Sequence, residues 1–155
     1  MIRAFRLTDA AQTHRAFVDA ILTGAASRST DVKRHAWVPD PAMPANWGDW
    51  LAKPTTRVAG TNAELHGFMM IEASGYLTMA FVARAQMGKG IADQLYATLR
   101  PIAPKTRLTT RASRFAQSFF LRHGWHHAPE ITDIAGMDPN QSAPNPMNRP
   151  MALSR

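Results

Sequence analysis

The residues with the clearest chemistry are Met87-Gly88-Lys89-Gly90-Ile91-Ala92. An apolar run beginning at Leu77 ends at Val82, just before them. Apolar residues at Ile91, Leu95, Leu99 and Ile102 then follow at the spacing of one helix face. The pattern predicts a strand, a glycine-bearing turn and a helix. Such a turn leaves the first N–H groups of the helix unpaired, and with the positive end of the helix dipole they form an anion site. Gly88 and Gly90 let backbone approach a ligand closely, and Lys89 adds a cation between them. A P-loop would need a glycine where Ala83 stands and Ser or Thr where Gly90 stands. A dinucleotide fingerprint would need a third glycine at Asp93 and a later acidic residue, and both are missing. The bland alternative is a plain strand-to-helix turn.

A second segment narrows the choice. Leu108-Thr109-Thr110 reads as a short strand leading into Ser113, Ala116, Phe119, Phe120 and the stop Gly124-Trp125. Taken in order with the first segment, it resembles the GNAT superfamily of N-acetyltransferases. That family carries an Arg/Gln-x-x-Gly-x-Gly/Ala turn, matched by Met87 through Ala92 apart from Met87 itself. Farther on it carries Asn or Ser, then Ala, an aromatic, and Gly-aromatic, and Ser113, Ala116, Phe120, Gly124 and Trp125 keep those spacings. The resemblance is clear from Arg57 to Trp125.

The resemblance implies a single domain over residues 1–155 of mixed α/β class, with a splayed, mostly antiparallel sheet flanked by helices. It implies acetyl-CoA as co-substrate, its pantetheine arm lying between the Leu77–Val82 and Leu108–Thr110 strands. Backbone groups around Phe81, Val82 and Ala83 would hold the amides. The diphosphate would sit on N–H groups from Gly88 through Lys89, Gly90 and Ile91 to Ala92, with Met87 lacking the side-chain contact the family prefers. Ser113 would touch pantetheine or cap the last helix, with Phe119 and Phe120 beside it. Phe120 stands where many GNAT enzymes place a tyrosine that protonates the departing thiolate, which phenylalanine cannot do.

On the acceptor side, an ammonium must lose a proton before it attacks a thioester. Glu72, near the end of a strand, is the first candidate base. His66 shares its strand parity and is the second, and His35 the third. Trp37, Trp47 and Trp50 fall in the region that lies over the acceptor pocket in GNAT proteins, and closing the core is the equal alternative for them. The implied function is direct acetyl transfer to a primary amine of a small molecule or peptide. The rival is an acyl-CoA sensor without turnover, motivated by Phe120 and Met87.

Composition supports a globular domain. The 155 residues are 45% hydrophobic, enough for a substantial core. Cysteine is absent, which excludes disulfides, thiolate metal sites and an acetyl-cysteine intermediate. The net charge of +7 favours polyanions, but the arginines are scattered and no basic run with interleaved aromatics occurs, so nucleic acid is not expected. No apolar stretch approaches the roughly 20 residues of a membrane span, and no secretory core follows Met1, so a cytoplasmic location is expected. His123, His126, His127 and Glu130 form a poor metal set, because adjacent strand residues point to opposite faces. No metal is expected, and a homodimer through edge strands is permitted.

The remaining elements must position these groups. Ile2 to Leu7 alternates as a first strand does, and Thr8 or Asp9 can cap a helix whose apolar stripe runs through His14, Phe17, Val18, Ile21 and Leu22. Asp31 to Trp37 reads as a short helix and Trp47 to Lys53 as a helical turn. Arg57 to Gly60 and Leu65 to Ala73 read as a hairpin that continues into the Leu77 strand. Ile131 to Ala135 and Pro150 to Ser154 are expected as closing strands.

Overall fold

The computed structural model describes residues 1–24, 42–114, 116–131 and 148–154. The helix expected over Asp31–Trp37, with His35 and Trp37, lies outside them, as does most of the strand expected from Ile131. The chain forms two compact units, Met1–Met70 with Met79–Ile102, and Ile71–Thr78 with Ala103–Arg155.

In the first unit, β1 (Ile2–Ala4) pairs antiparallel with β2 (Thr55–Gly60), setting Arg3 opposite Val58. The chain then turns through a 3-10 segment, Leu7–Asp9, into α1 (Ala10–Asp19), which continues as a π-helical turn over Ala20–Gly24. Asp9 stands at the cap position, but its carboxylate turns back. It takes two bonds from the Arg3 guanidinium, at 2.7 and 2.8 Å, and one from the Arg6 N–H at 2.8 Å. This ties the first strand to the first helix through a partly buried charge pair.

The short helix α2 (Trp47–Ala52) forms where the sequence predicts it. Its Trp47 and Leu51 join Phe17 and Ile21 of the preceding helical stretch, with Val58 of β2. The strand β3 (Leu65–Ile71) adds Leu65, Phe68 and Met70 to the same core. Ala59 and Met69, of the alternate parity, are buried as well, so both faces of the sheet are covered. Below the sheet order β1-β2-β3, the edge strand is β4 (Leu77–Val82). The helix after it, α3 (Ile91–Leu99), buries Leu95, Tyr96 and Leu99 and packs on β2 and β1.

β4 is not regular. At one end Glu72 N–H donates to Tyr76 O, and at the other Ala83 N–H donates to His66 O. Between those bonds β3 advances six residues and β4 seven. The extra residue is a bulge, and it moves odd-numbered side chains of β4 from one face of the sheet to the other. Leu77 therefore falls opposite Ile71, whereas Phe81 falls opposite Phe68, with ring centroids 5.9 Å apart.

In the second unit, β5 (Leu108–Ala112) and β6 (His126–His127) both pair antiparallel with β7 (Arg149–Leu153). The hairpin turn from Glu72 to Tyr76 belongs to this unit: Tyr76 bridges to Thr109 in parallel, and Thr110 Oγ1 donates to Leu77 O at 2.8 Å. The helix α4 (Gln117–Arg122) buries Phe120 against Trp125, centroids 4.9 Å apart. The architecture is mixed α/β and mostly antiparallel, as expected. Among the described residues no helix is long and apolar enough to cross a membrane.

Candidate active site

β4 delivers the chain to the glycine turn. Ala83 leaves the strand at φ −58°, ψ 143°, and a 3-10 turn, Arg84–Gln86, follows. Gly88 and Gly90 both take the left-handed backbone region, at φ +77° and +79°. Gly90 occupies the N-cap of α3, and its carbonyl accepts the first helical bond, from Gln94 N–H at 3.0 Å. The N–H groups at the start of α3 precede its first helical bond, so they have no partner within the helix. A Cβ built on Gly88 or Gly90 would meet nothing within 4 Å. These glycines therefore answer a backbone conformation and leave the approach to the N–H row open. Among the described residues, the exposed Lys89 ammonium reaches Gln86 Oε1, at 3.5 Å. The donor set suits a diphosphate: the N–H groups of a glycine turn and helix start, a helix dipole and one lysine.

The strand edge beside this turn offers further donors and acceptors. Since β4 ends the four-stranded sheet, alternate peptide groups along it point away from β3. Ala83 N–H is already taken by His66 O at 2.8 Å, so the outward-facing groups near the strand end belong to Val82. Phe81 instead sends its ring inward, edge-on to Phe17 at 4.9 Å.

Glu72 lies one residue beyond β3, in the hairpin turn, half-buried. Burial pushes its carboxyl above the usual carboxylate range, against hydrogen bonds from the Thr78 and Ser74 hydroxyls that pull the other way. Thr78 Oγ1 donates to Glu72 Oε1 at 3.1 Å. A carboxylate biased toward holding a proton is a suitable base for an ammonium. His66, half-buried on β3, gives its carbonyl to Ala83.

The tryptophans divide. Trp47 is fully buried, its ring against Phe17 and Phe68, and its Nε1–H donates to Thr13 Oγ1 at 3.1 Å. It belongs to the core. Trp50, edge-on to Trp47 at 5.7 Å, is half-exposed and keeps surface for a ligand. His14, on the buried stripe of α1, stacks edge-on against Trp47 at 4.8 Å.

In the second unit, the Ser113 carbonyl accepts from Ala116 and Gln117 N–H at 3.0 and 3.1 Å and so opens α4. The N-cap of α4 is Ala116, which makes no side-chain cap bond. Phe120 is buried, and Phe119 beside it is half-exposed, with the Arg122 guanidinium 5.5 Å above its ring. His126 and His127 sit in register with Ala152 and Met151 of β7. Among the described residues, no three His, Cys, Asp or Glu side chains are grouped to hold a metal.

Comparison with known proteins agrees with this geometry. The family model described as the acetyltransferase (GNAT) domain matches residues 42–137, more than half the chain. The chain belongs to the GNAT acetyltransferase family. Similar folds include a GCN5-related N-acetyltransferase from Rhodopseudomonas palustris, 22% identical, with TM-score 0.79 over 100% of this chain and 95% of that one. The PaiA N-acetyltransferase from Thermoplasma acidophilum, solved in complex with coenzyme A, is 12% identical, with TM-score 0.76 over 100% and 98%. The apo form of YjaB from Escherichia coli is 16% identical, with TM-score 0.63 over 99% and 95%. No curated protein matches the sequence.

Proposed function

We propose that this GNAT protein moves an acetyl group from acetyl-CoA to a primary amine of a small molecule or peptide, by direct transfer in a ternary complex. The observation that carries the reading is the row of N–H groups from Gly88 to Ala92 with open space before it. Acetyl-CoA supplies an activated thioester there. Gly88, Lys89, Gly90, Ile91 and Ala92 bind its diphosphate, with Met87 packing at the rim. The outer edge of Val82 accepts and donates to an extended amide, as an added strand would. Glu72 takes the proton from the attacking ammonium, directly or through water, and His66 is the second candidate. Trp50 supplies an apolar surface toward the acceptor. Ser113 and Phe119 are the contacts proposed from the second unit.

The amine nitrogen forms its bond to the acetyl carbon, the carbon–sulfur bond breaks, and the CoA sulfur leaves as thiolate. No tyrosine hydroxyl stands at Phe120 to protonate it, so water or backbone supports that charge. The same residue favours a second reading, an acyl-CoA binder without turnover. Calorimetric titration with acetyl-CoA, followed by thiol release over a panel of primary amines, tests both. Binding with release supports the enzyme, binding without release on every amine supports the binder, and no binding removes both.

A further inference from the structure

The stretch from Arg84 to Gly90 meets the rest of the fold at its start, where the 3-10 turn lies beside the Ala20–Gly24 turn. Arg84, Ala85 and Met87 through Gly90 are exposed. Their hydrogen bonds are mostly local: Gln86 N–H to Ala83 O at 2.9 Å, Met87 N–H to Arg84 O at 3.2 Å, Lys89 Nζ to Gln86 Oε1. One bond comes from far away in the chain. Asp19 Oδ2 accepts from Arg84 N–H at 2.6 Å, across a separation of 65 residues. The 3-10 turn lacks a cap of its own, because Ala83 has no side-chain acceptor. Asp19 supplies that cap from the last residue of α1, where the helix changes to π geometry. A carboxylate bonded to N–H groups at a helical start is strengthened by its charge.

Resting on the acetyl-CoA reading above, we infer that Asp19 is a positioning residue for the diphosphate turn. Its carboxylate fixes the first N–H after β4. The 3-10 turn carries that constraint to Met87, whose N–H closes the turn directly before Gly88. The N–H row at the helix start is thereby aimed before ligand arrives, and the ordering cost at binding falls. Because Asp19 belongs to α1, whose buried face includes His14 and Phe17, the turn is referenced to the aromatic core and not only to its own strand.

The test is a double-mutant cycle read by acetyl-CoA affinity. Asp19→Ala removes the acceptor. Arg84→Pro removes the donor, and its fixed φ suits the first helical position. Ala83 already has the extended backbone that a following proline requires. Arg84→Ala controls for the lost guanidinium, and Asp19→Asn keeps an oxygen acceptor. Expected results are an acetyl-CoA Kd raised about tenfold in Asp19→Ala, as for one lost charge-assisted bond, with at least half that loss recovered in Asp19→Asn. Arg84→Pro should weaken binding by a similar factor beyond Arg84→Ala, and the double variant Asp19→Ala/Arg84→Pro should be no worse than Arg84→Pro alone.

A wild-type Kd unchanged in Asp19→Ala, or losses that multiply in the double variant, overturns the inference while leaving the acetyl-CoA reading intact. A wild-type chain that binds no acetyl-CoA overturns both. If Asp19→Ala does not fold, the Asp19→Asn and Arg84→Pro pair decides, since the proline variant preserves the carboxylate.

Discussion

Replacing Gly88 and Gly90 by alanine separates what the fold asks of these positions from what a ligand asks. Both have left-handed φ, +77° and +79°, and neither built Cβ meets an atom within 4 Å. The folded state therefore pays only for backbone strain. An L-residue in that region costs about 1–2 kcal/mol, and about 0.4–1 kcal/mol returns because the unfolded chain is stiffer. A net loss of about 1 kcal/mol for each position, at about 2–4 °C per kcal/mol, lowers the apo Tm of the double variant by about 4–8 °C. The ligand effect is larger. Acetyl-CoA at about 100 times its Kd should stabilise the wild-type protein by about 2.7 kcal/mol. Two methyl groups set against the N–H row cost one or two bonds to a charged diphosphate, about 1.5–3 kcal/mol each. Affinity then falls by about a hundredfold, and the same ligand concentration stabilises by only about 0.4 kcal/mol. Differential scanning fluorimetry with and without acetyl-CoA reads both quantities. An apo Tm lowered as calculated, with a ligand-induced shift as large as in the wild type, would refute diphosphate binding at this turn.

Further outcomes follow from other contacts. Asp9→Asn breaks a partly buried charge pair, and the lost charge-assisted bonds cost about 1.5–3 kcal/mol, measurable by urea unfolding at neutral pH. The Arg3 guanidinium and the Arg6 N–H hold the Asp9 carboxyl below its ordinary value. Its contribution is thus present above the unfolded carboxylate pKa of about 4 and is lost as pH falls through the lower folded value. The wild type should lose stability over that acid range and Asp9→Asn should not. Glu72 has the opposite shift, raised by burial. Its folded pKa lies above the unfolded one, so ionising it costs stability as pH rises through that value. The kcat/KM profile should therefore gain its acid limb above the ordinary glutamate pKa of about 4.3. An unchanged limb in Glu72→Gln would exclude it as the base. Trp47→Ala should cost about 3–5 kcal/mol of stability, whereas Trp50→Ala should fold and alter acceptor KM, both read by Tm and steady-state kinetics.

The parts of this molecule legible in the sequence are those encoded locally. The strand, glycine turn and helix from Leu77 to Leu99 are written in residue spacing, because positive φ and helix phase are properties of short windows. The helical turn at Trp47 is legible for the same reason. The bulge in β4 is not, since it exists only as a mismatch between two strands, and six residues of apolar pattern look regular from within one of them. The strand His126–His127 is too short to show alternation. Its partner β7 decides that it pairs at all. Trp47 and Trp50 look alike in sequence. Only the packing of Phe17 and Phe68 and the Thr13 hydroxyl make one of them core. The bond from Asp19 to Arg84 joins two unremarkable positions across 65 residues, and no local signal marks either.

The bulge also bears on acyl chain length. An extended molecule bonded to the outer edge of β4 stays in phase with that strand on one side of the extra residue only. On the acetyl-CoA proposal above, an acyl chain long enough to reach past the extra residue leaves its template. Discrimination against butyryl- and hexanoyl-CoA would then arise from a strand that stops matching its guest, with no wall needed to block it. A calorimetric series in which affinity climbs steadily with each added methylene would show the opposite.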